Sequence, residues 1–421
     1  MIDLAIWVMY FISTYFAVFW LLVILENKIK DETPGKLPKS LPLVTIALPI
    51  WNEEKSLVAT LKSVLALDYP RKKLHIILVD DHSTDSTPNV IKEFLRTHAA
   101  ALKNISIQSL RHTVNKGKGS ALNTALKHAK GELFICLDAD SFVKPNTLKI
   151  MIPYFSHKNV ASVLPLMKLR TVKRFVLHLQ YVEYLVNFFL KKVMSMLDCI
   201  HVTPGPFAAY RTSILRKVGG FATDNLTEDL EMALRLQKHN YKIIQLMNAR
   251  VTTLAPTTMK AWFQQRNRWY KGTLMNLYLY KKMFFAKKYG EFGLFQLPMV
   301  LGAATVSIFF ALFVIWQHML RPFLLHVYDM SFISFNMRLV SEQWVSRLHF
   351  LDANYMILFF SLVLFGFGLG WIIYAFKYTE ERVTASGVTS SALFMVIYPF
   401  FLSMVWWSVV LDLARGKKQR W

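Results

Sequence analysis

Four long uncharged apolar runs bracket a single polar stretch, and this arrangement constrains the chain more than any other feature. Residues 4–25, 292–316, 353–376 and 391–411 contain no Asp, Glu, Lys or Arg. Each reaches the ~20 apolar residues that a helix needs to cross a hydrocarbon core. The first run is longer than the ~7–15 apolar residues of a secretory leader, and no small-residue cleavage site follows it, so it reads as a retained anchor. The hydrophobic share of 54% and mean hydropathy of +0.31 agree with several spans plus one soluble domain in 421 residues. The expected division is an N-terminal span (1–27), a soluble domain (28–255), amphipathic interface helices (256–290) and a C-terminal membrane region of about three spans (291–421).

Charge placement suggests an orientation. Only Asp3 precedes the first span, whereas Lys28, Lys30 and Lys36 follow it. The positive-inside rule then puts the N-terminus outside and the soluble domain in the cytoplasm of a multi-pass plasma-membrane protein. The basic tail, Arg415, Lys417, Lys418 and Arg420, also favours the cytoplasm. Three spans after the domain would place it outside, unless residues 321–350 hold a further crossing or a re-entrant hairpin. If residues 320–352 lie outside the membrane, they could dock an accessory membrane subunit, although no residue there marks one. The net charge of +23 suits anionic lipid headgroups, at about 1 kcal/mol per basic residue near the surface, and a phosphate-bearing substrate. No nucleic-acid recognition module accompanies it. Cys136 and Cys199 lack metal-ligand spacing.

Within the soluble stretch, strand-like runs at 44–49, 74–79, 105–110 and 133–137 alternate with helical patterns at 56–67, 87–97 and 120–130. This predicts an α/β fold with a mostly parallel sheet and helices on both faces. Ligands of such sheets bind beyond the carboxyl ends of the strands. Asn52-Glu53, Asp80-Asp81 and Asp138-Ala139-Asp140 each fall just past an apolar run. Residues 172–197 form a long helical pattern. Residues 259–288 interleave aromatic and basic groups, as in a helix lying in a membrane interface.

Four clusters suggest chemistry. Asp138 and Asp140, two carboxylates at i and i+2 on a strand end, suit Mg²⁺ or Mn²⁺ completed by diphosphate oxygens. In Asp80-Asp81-His82-Ser83-Thr84-Asp85, a carboxylate can meet a nucleoside, while Ser83, Asp85 or Ser86 can cap the helix starting near Thr87. His82 reads as a solvated loop residue. Lys116 and Lys118 flank a Gly-rich turn into a helix, where one of them is expected to meet the ligand's charge; the turn lacks Walker spacing. In Thr227-Glu228-Asp229, Thr227 and Asp229 can cap the following helix, or a carboxylate can assist deprotonation of a sugar hydroxyl, worth roughly 10²–10⁴ in rate. Gln265-Arg266-Asn267-Arg268-Trp269 supplies guanidinium groups for a diphosphate and an indole face for a pyranose ring, or else an interfacial tryptophan.

In this order the motifs resemble those of processive, membrane-embedded family 2 glycosyltransferases, the synthases of cellulose, chitin, hyaluronan and poly-N-acetylglucosamine. The resemblance covers roughly residues 44–271 and extends to Asn115-Lys116-Gly117-Lys118-Gly119-Ser120-Ala121-Leu122-Asn123 and Gly219-Gly220-Phe221. It implies a GT-A fold, a UDP-sugar donor and a divalent metal. Asp81 would contact uridine, Asp138 and Asp140 the nucleotide and metal, and Asp229 would be the base of an inverting displacement. Asn52, Glu53, Lys116, Lys118 and Arg268 complete the expected nucleotide-sugar set; Glu228, Gln265, Arg266 and Trp269 form the expected acceptor set. The spans would conduct the polymer outward.

Trp51, Asn240 and Pro204-Gly205-Pro206 depart from the family pattern, and the last lies where relatives shape the acceptor end. UDP-N-acetylglucosamine is the first expectation for the donor and UDP-glucose the second. Two other readings are a transferase placing one sugar on a lipid or polyprenyl phosphate, and a non-catalytic membrane assembly or transport subunit.

Overall fold

The computed structural model describes residues 2–27, 36–332, 355–381 and 385–416. One eight-stranded sheet organises the polar part of the chain. Its strands are β1 (Val44–Ile50), β2 (Leu74–Asp80), β3 (Ser106–Arg111), β4 (Leu133–Cys136), β5 (Ser141–Val143), β6 (Val160–Leu169), β7 (Ala208–Arg211) and β8 (Lys242–Thr253), in the order β3-β2-β1-β4-β7-β6-β8-β5. β1 and β2 are almost wholly buried, as strands covered by helices on both faces must be. Along β1, Val44, Ile46, Leu48 and Ile50 join one apolar cluster with Leu57 and Leu61, while Ala47 joins another with Ala121 and Leu122. This is the period-two alternation of a pleated strand.

The half β3-β2-β1-β4 is parallel, with crossover helices Leu57–Leu65, Thr87–Thr97 and Lys118–His128. The other half adds antiparallel pairing to the parallel one. β7 is antiparallel to both β4 and β6, β5 is antiparallel to β8, and β6 runs parallel to β8 with two register shifts. The result is a curled mixed sheet. The polar positions Gln245, Asn248 and Arg250 break the apolar pattern of β8, so its strand signal is weak.

Among the described residues three helices are long and apolar enough to cross a membrane: Trp7–Glu26, Leu358–Tyr378 and Gly387–Ala414. They carry exposed apolar side chains such as Phe11, Leu362 and Met404, as expected where the surrounding solvent is lipid. The protein is thus a multi-pass membrane protein. At the remaining expected span, π-helical turns at Phe292–Gln296 lead into the helix Leu297–Ile315. A helix at Arg321–Phe332 follows. The expected re-entrant or docking segment beyond it, and Lys417, Lys418 and Arg420 of the tail, lie outside the described residues.

Side-chain contacts fasten the last two of these helices to the rest of the chain. The helix Met259–Leu279 packs on Ala385–Ala414, with Trp262 fully buried and stacked on Phe401 at a centroid distance of 3.9 Å and 17° between planes. Just past Tyr378, the Lys168 Nζ donates to the Thr379 carbonyl at 2.7 Å and to Glu381 Oε1 at 2.5 Å, while Arg250 pairs with Glu380.

Candidate active site

The carboxyl ends of β1, β2 and β4 open on one side of the sheet, and the first acidic pair lies at the end of β2. Asp80 accepts from the Ser83 backbone N–H at 2.9 Å and pairs with Arg111 at 3.0 Å. Asp81 is buried, and its carboxylate bonds His112 Nδ1 at 2.6 Å. It also accepts from the backbone N–H groups of Lys116, at 3.0 Å, and Gly117, at 2.7 Å. Asp81 therefore shapes the glycine turn that starts the helix Lys118–His128. Ser86 occupies the N-cap of the helix Thr87–Thr97 without a side-chain cap bond, and Asp85 before it accepts from the Thr87 N–H at 3.0 Å. Asn52 adopts φ +55° and accepts from the Thr84 N–H at 2.8 Å, which ties the end of β1 to this loop. His82 is exposed.

Because the turn is held by Asp81, Lys118 projects to the end of β4. Its Nζ lies 2.7 Å from Asp138 Oδ1 and 3.2 Å from Glu228 Oε1. Burial pulls the lysine pKa down, but Asp138, Glu228 and Asp229 outweigh it and hold the ammonium well above its ordinary range. Asp140 accepts from Ser141 Oγ at 3.0 Å. Burial, then the neighbouring Asp138, raises its pKa. Glu53 is raised first by burial and then, against its Ser56 hydrogen bond, by Asp140, Asp138 and Asp85. Carboxylates held this close call for a cation.

Gly205 keeps the space above the pair open: a Cβ there would lie 2.5 Å from Lys118 Nζ and 2.9 Å from both Asp138 oxygens. Among the described residues no three His, Cys, Asp or Glu gather as a metal cluster. Two carboxylates beside an open cradle still fit Mg²⁺ or Mn²⁺, which usually takes one or two carboxylates and completes its shell with phosphate oxygens and water.

Asp229 opens the helix Glu228–Lys238, where the first-turn acids Glu228, Asp229 and Glu231 complement the helix dipole. The Leu230 N–H donates to Asp229 Oδ1 at 2.8 Å, and Thr203 Oγ1 donates to the Asp229 carbonyl at 2.7 Å. Burial, then Glu228, pushes the Asp229 carboxyl up to about 6, partly offset by Lys118 and Lys191. Thr227 occupies the N-cap position without a side-chain cap bond; its hydroxyl instead accepts from Asn276 Nδ2 at 3.0 Å. Gly272 permits that approach, since a Cβ there would meet Thr227 Oγ1 at 2.4 Å. The two other glycine-bearing stretches also meet: Asn123 brackets Phe221, donating to its carbonyl at 2.7 Å and accepting from its N–H at 2.8 Å.

The helix Met259–Leu279 closes the site from the side of the apolar helices. Gln265, Arg268 and Trp269 line the same cavity of about 480 Å³ as Glu53, Asp81, Lys118, Asp138, Asp140, Glu228 and Asp229. Burial lowers the Arg268 pKa, against the pull of Glu228, Asp229 and Asp138. Arg266 does not reach the cavity wall. Its guanidinium is fully buried and bidentate on Glu183, at 2.8 and 2.7 Å, and it lies 4.0 Å from the Trp269 ring centroid. Asn52 and the exposed Lys116 side chain also stand outside the lining.

Sequence reasoning missed one wall altogether. Tyr184, Asn187, Phe188 and Lys191 of the helix Phe175–Met196, together with His201, line the cavity. Their i, i+3, i+4, i+7 spacing shows that one helix face is turned inward. In the sequence that face is hidden inside an apolar helix.

The family model described as Glycosyl transferase family group 2 matches residues 133–410, and that described as Glycosyl transferase family 2 matches residues 45–219. The chain belongs to the family 2 glycosyltransferases. It is 31% identical over 231 residues to the poly-β-1,6-N-acetyl-D-glucosamine synthase of Staphylococcus epidermidis, covering 54% of each chain. It is 29% identical over 232 residues to that of Staphylococcus aureus strain COL, again covering 54% of each. The chain thus spans about half the length of the curated relatives it matches. A solved structure, the mannosyltransferase PcManGT of Pyrobaculum calidifontis in complex with GDP-Man and Mn²⁺, superposes with a TM-score of 0.54 at 24% identity. That match covers 67% of this chain and 75% of the mannosyltransferase, and the fold is shared.

Proposed function

We propose that the protein is an inverting, processive polysaccharide synthase of GT-A fold. It moves a sugar from a UDP-sugar to the hydroxyl end of a growing glycan and is coupled to export. UDP-N-acetylglucosamine is the first choice of donor, and UDP-glucose the second. The observation that carries this reading is the meeting of Lys118, Asp138, Asp229, Arg268 and Trp269 on one cavity beneath a helix that packs on the last apolar helix. The similarity to poly-N-acetylglucosamine synthases supports the donor choice. We place the sheet domain in the cytoplasm, with the helix Met259–Leu279 and its basic continuation at the lipid interface.

In this reading Asp229 takes the proton of the acceptor hydroxyl as that oxygen attacks the anomeric carbon and the UDP leaves. Lys118 and Arg268 neutralise the departing diphosphate, and Glu53 and Asp81 border the nucleotide. Glu228 and Gln265 flank the acceptor, and Trp269 offers its ring face to a pyranose. Asp138 and Asp140 would hold Mg²⁺ or Mn²⁺, and the ion would supply further charge neutralisation. We assign Asn52, Lys116 and Arg266 supporting roles.

The test uses the detergent-purified chain with Mn²⁺ or Mg²⁺ and UDP-GlcNAc, UDP-Glc, UDP-GlcA or GDP-Man. Nucleotide release and product size are followed together. Release from one UDP-sugar with a high-molecular-weight product, lost in Asp229→Asn, is the expected result. A mono-glycosylated lipid as the sole product would replace the processive reading, and no metal-dependent release from any donor would overturn it.

A further inference from the structure

The wall missed by sequence reasoning holds donors that the proposed chemistry leaves unused. Lys191 sits on the cavity-facing stripe of the helix Phe175–Met196, with its Nζ 4.5 Å from the Phe188 ring centroid. Among the described residues it makes no hydrogen bond or ion pair. Burial lowers its pKa to about 8, partly offset by Asp229, and the half-buried ammonium has protons to donate into the cavity. His201 lies on the same wall, and its Nδ1 accepts from Gln296 Nε2 at 3.1 Å. With the Gln296 amide nitrogen donating, the ring proton falls on Nε2. Burial and then Lys191 push His201 down to about 4, so it is a neutral donor at physiological pH.

We propose that Lys191, with His201 beside it, is a specificity-determining residue of the acceptor end, donating to the acetamido carbonyl of the acceptor's terminal sugar. The inference rests on the transferase reading given above. A carbonyl has two lone pairs and no proton of its own, so it can accept from both Lys191 and His201, while the Asn187 amide on the same stripe can accept from the acetamido N–H. The rings of Tyr184 and Phe188 on the same stripe provide apolar area for the sugar's C–H face. An anionic acceptor such as a lipid phosphate fits less well, because the Asp229 carboxylate already acts on Lys191. Burying an unpaired ammonium costs stability, and a ligand that accepts from it would offset that cost.

The experiment measures binding to the full chain in detergent with Mn²⁺ and UDP, using an N-acetylglucosamine trisaccharide and a glucose trisaccharide. UDP affinity and the melting temperature are measured alongside. The wild type should prefer the acetylated trisaccharide. Lys191→Met should weaken its binding by about 10- to 100-fold, the loss expected for a hydrogen bond to a charged group. Lys191→Arg should retain part of the preference. UDP affinity should hold, and the melting temperature should stay level or rise, whereas loss of a structural lysine would lower it. An unchanged preference in Lys191→Met, or a wild type that binds UDP without distinguishing the trisaccharides, would overturn the proposal. Failure of the wild type to bind UDP would instead overturn the transferase reading beneath it.

Discussion

Arg266 and Glu183 form a buried, bidentate ion pair at 2.8 and 2.7 Å across the seam between the helices Met259–Leu279 and Phe175–Met196. The pair does more than join two helices. The guanidinium lies over the Trp269 ring at 4.0 Å, and Tyr398 of the last apolar helix donates to the same Glu183 at 2.8 Å. A residue expected at the ligand thus holds in place the residue that faces it.

Removing one partner of such a pair leaves a buried charge uncompensated, which typically costs about 3–5 kcal/mol. Glu183→Ala and Arg266→Ala are each expected to lower the melting temperature in detergent and to change Trp269 fluorescence. The double variant should lose less than the sum of the two. Strict additivity would show that the ion pair contributes no coupling.

Asp229→Asn should reduce kcat by roughly 10²–10⁴ while leaving UDP affinity intact, as loss of a general base does. Only the ionised carboxylate can act as base, so wild-type kcat should fall as pH drops below about 6. The stability effect has the opposite sign. The folded-state pKa lies above the ordinary 3.8, so the folded protein binds this proton more tightly. That contribution is present below about pH 4 and is lost as pH rises through about 6. Above pH 6, Asp229→Asn should therefore melt no lower than wild type, as a thermal titration of both proteins would show.

Asp138→Asn and Asp140→Asn should each weaken Mn²⁺ binding in the presence of UDP, measured by calorimetry. Asp140→Asn also removes a like charge beside Asp138. It should therefore leave the apoprotein at least as heat-stable as wild type, separating a metal role from a structural one.

Gly205→Ala should disrupt the Lys118–Asp138 pair, because the new methyl carbon would lie 2.5 Å from Lys118 Nζ. We expect kcat/KM to drop by at least about tenfold, on the scale of a misplaced catalytic group, with the circular dichroism spectrum unchanged. A variant with wild-type kinetics would mean that the cradle has slack.

The parallel half of the sheet was legible because β1, β2 and β4 are short apolar runs, each ending at polar residues of Asn52, Asp80-Asp81 or Asp138. A strand buried on both faces needs little more to be recognised. The antiparallel half was not. β7 is four residues long, and β8 carries Gln245, Asn248 and Arg250, so neither shows a clean period. In the site, the carboxylates were visible because they follow strand ends or open a helix. Arg266 was read as a ligand contact because its partner Glu183 lies in a distant, largely apolar helix. Lys191 and His201 escaped notice for a related reason: only the folded chain turns that helix face toward Asp229.

The stack of Trp262 on Phe401 limits how this protein can be cut down for study. A soluble fragment ending before the last apolar helix would expose an indole that is otherwise fully covered. It would also leave Glu183 without the Tyr398 hydroxyl. The strand ends of β1, β2 and β4 would survive such trimming, but the half of the pocket that faces Trp269 would lose its backing. The minimal catalytic unit therefore includes a helix that must be kept in lipid or detergent.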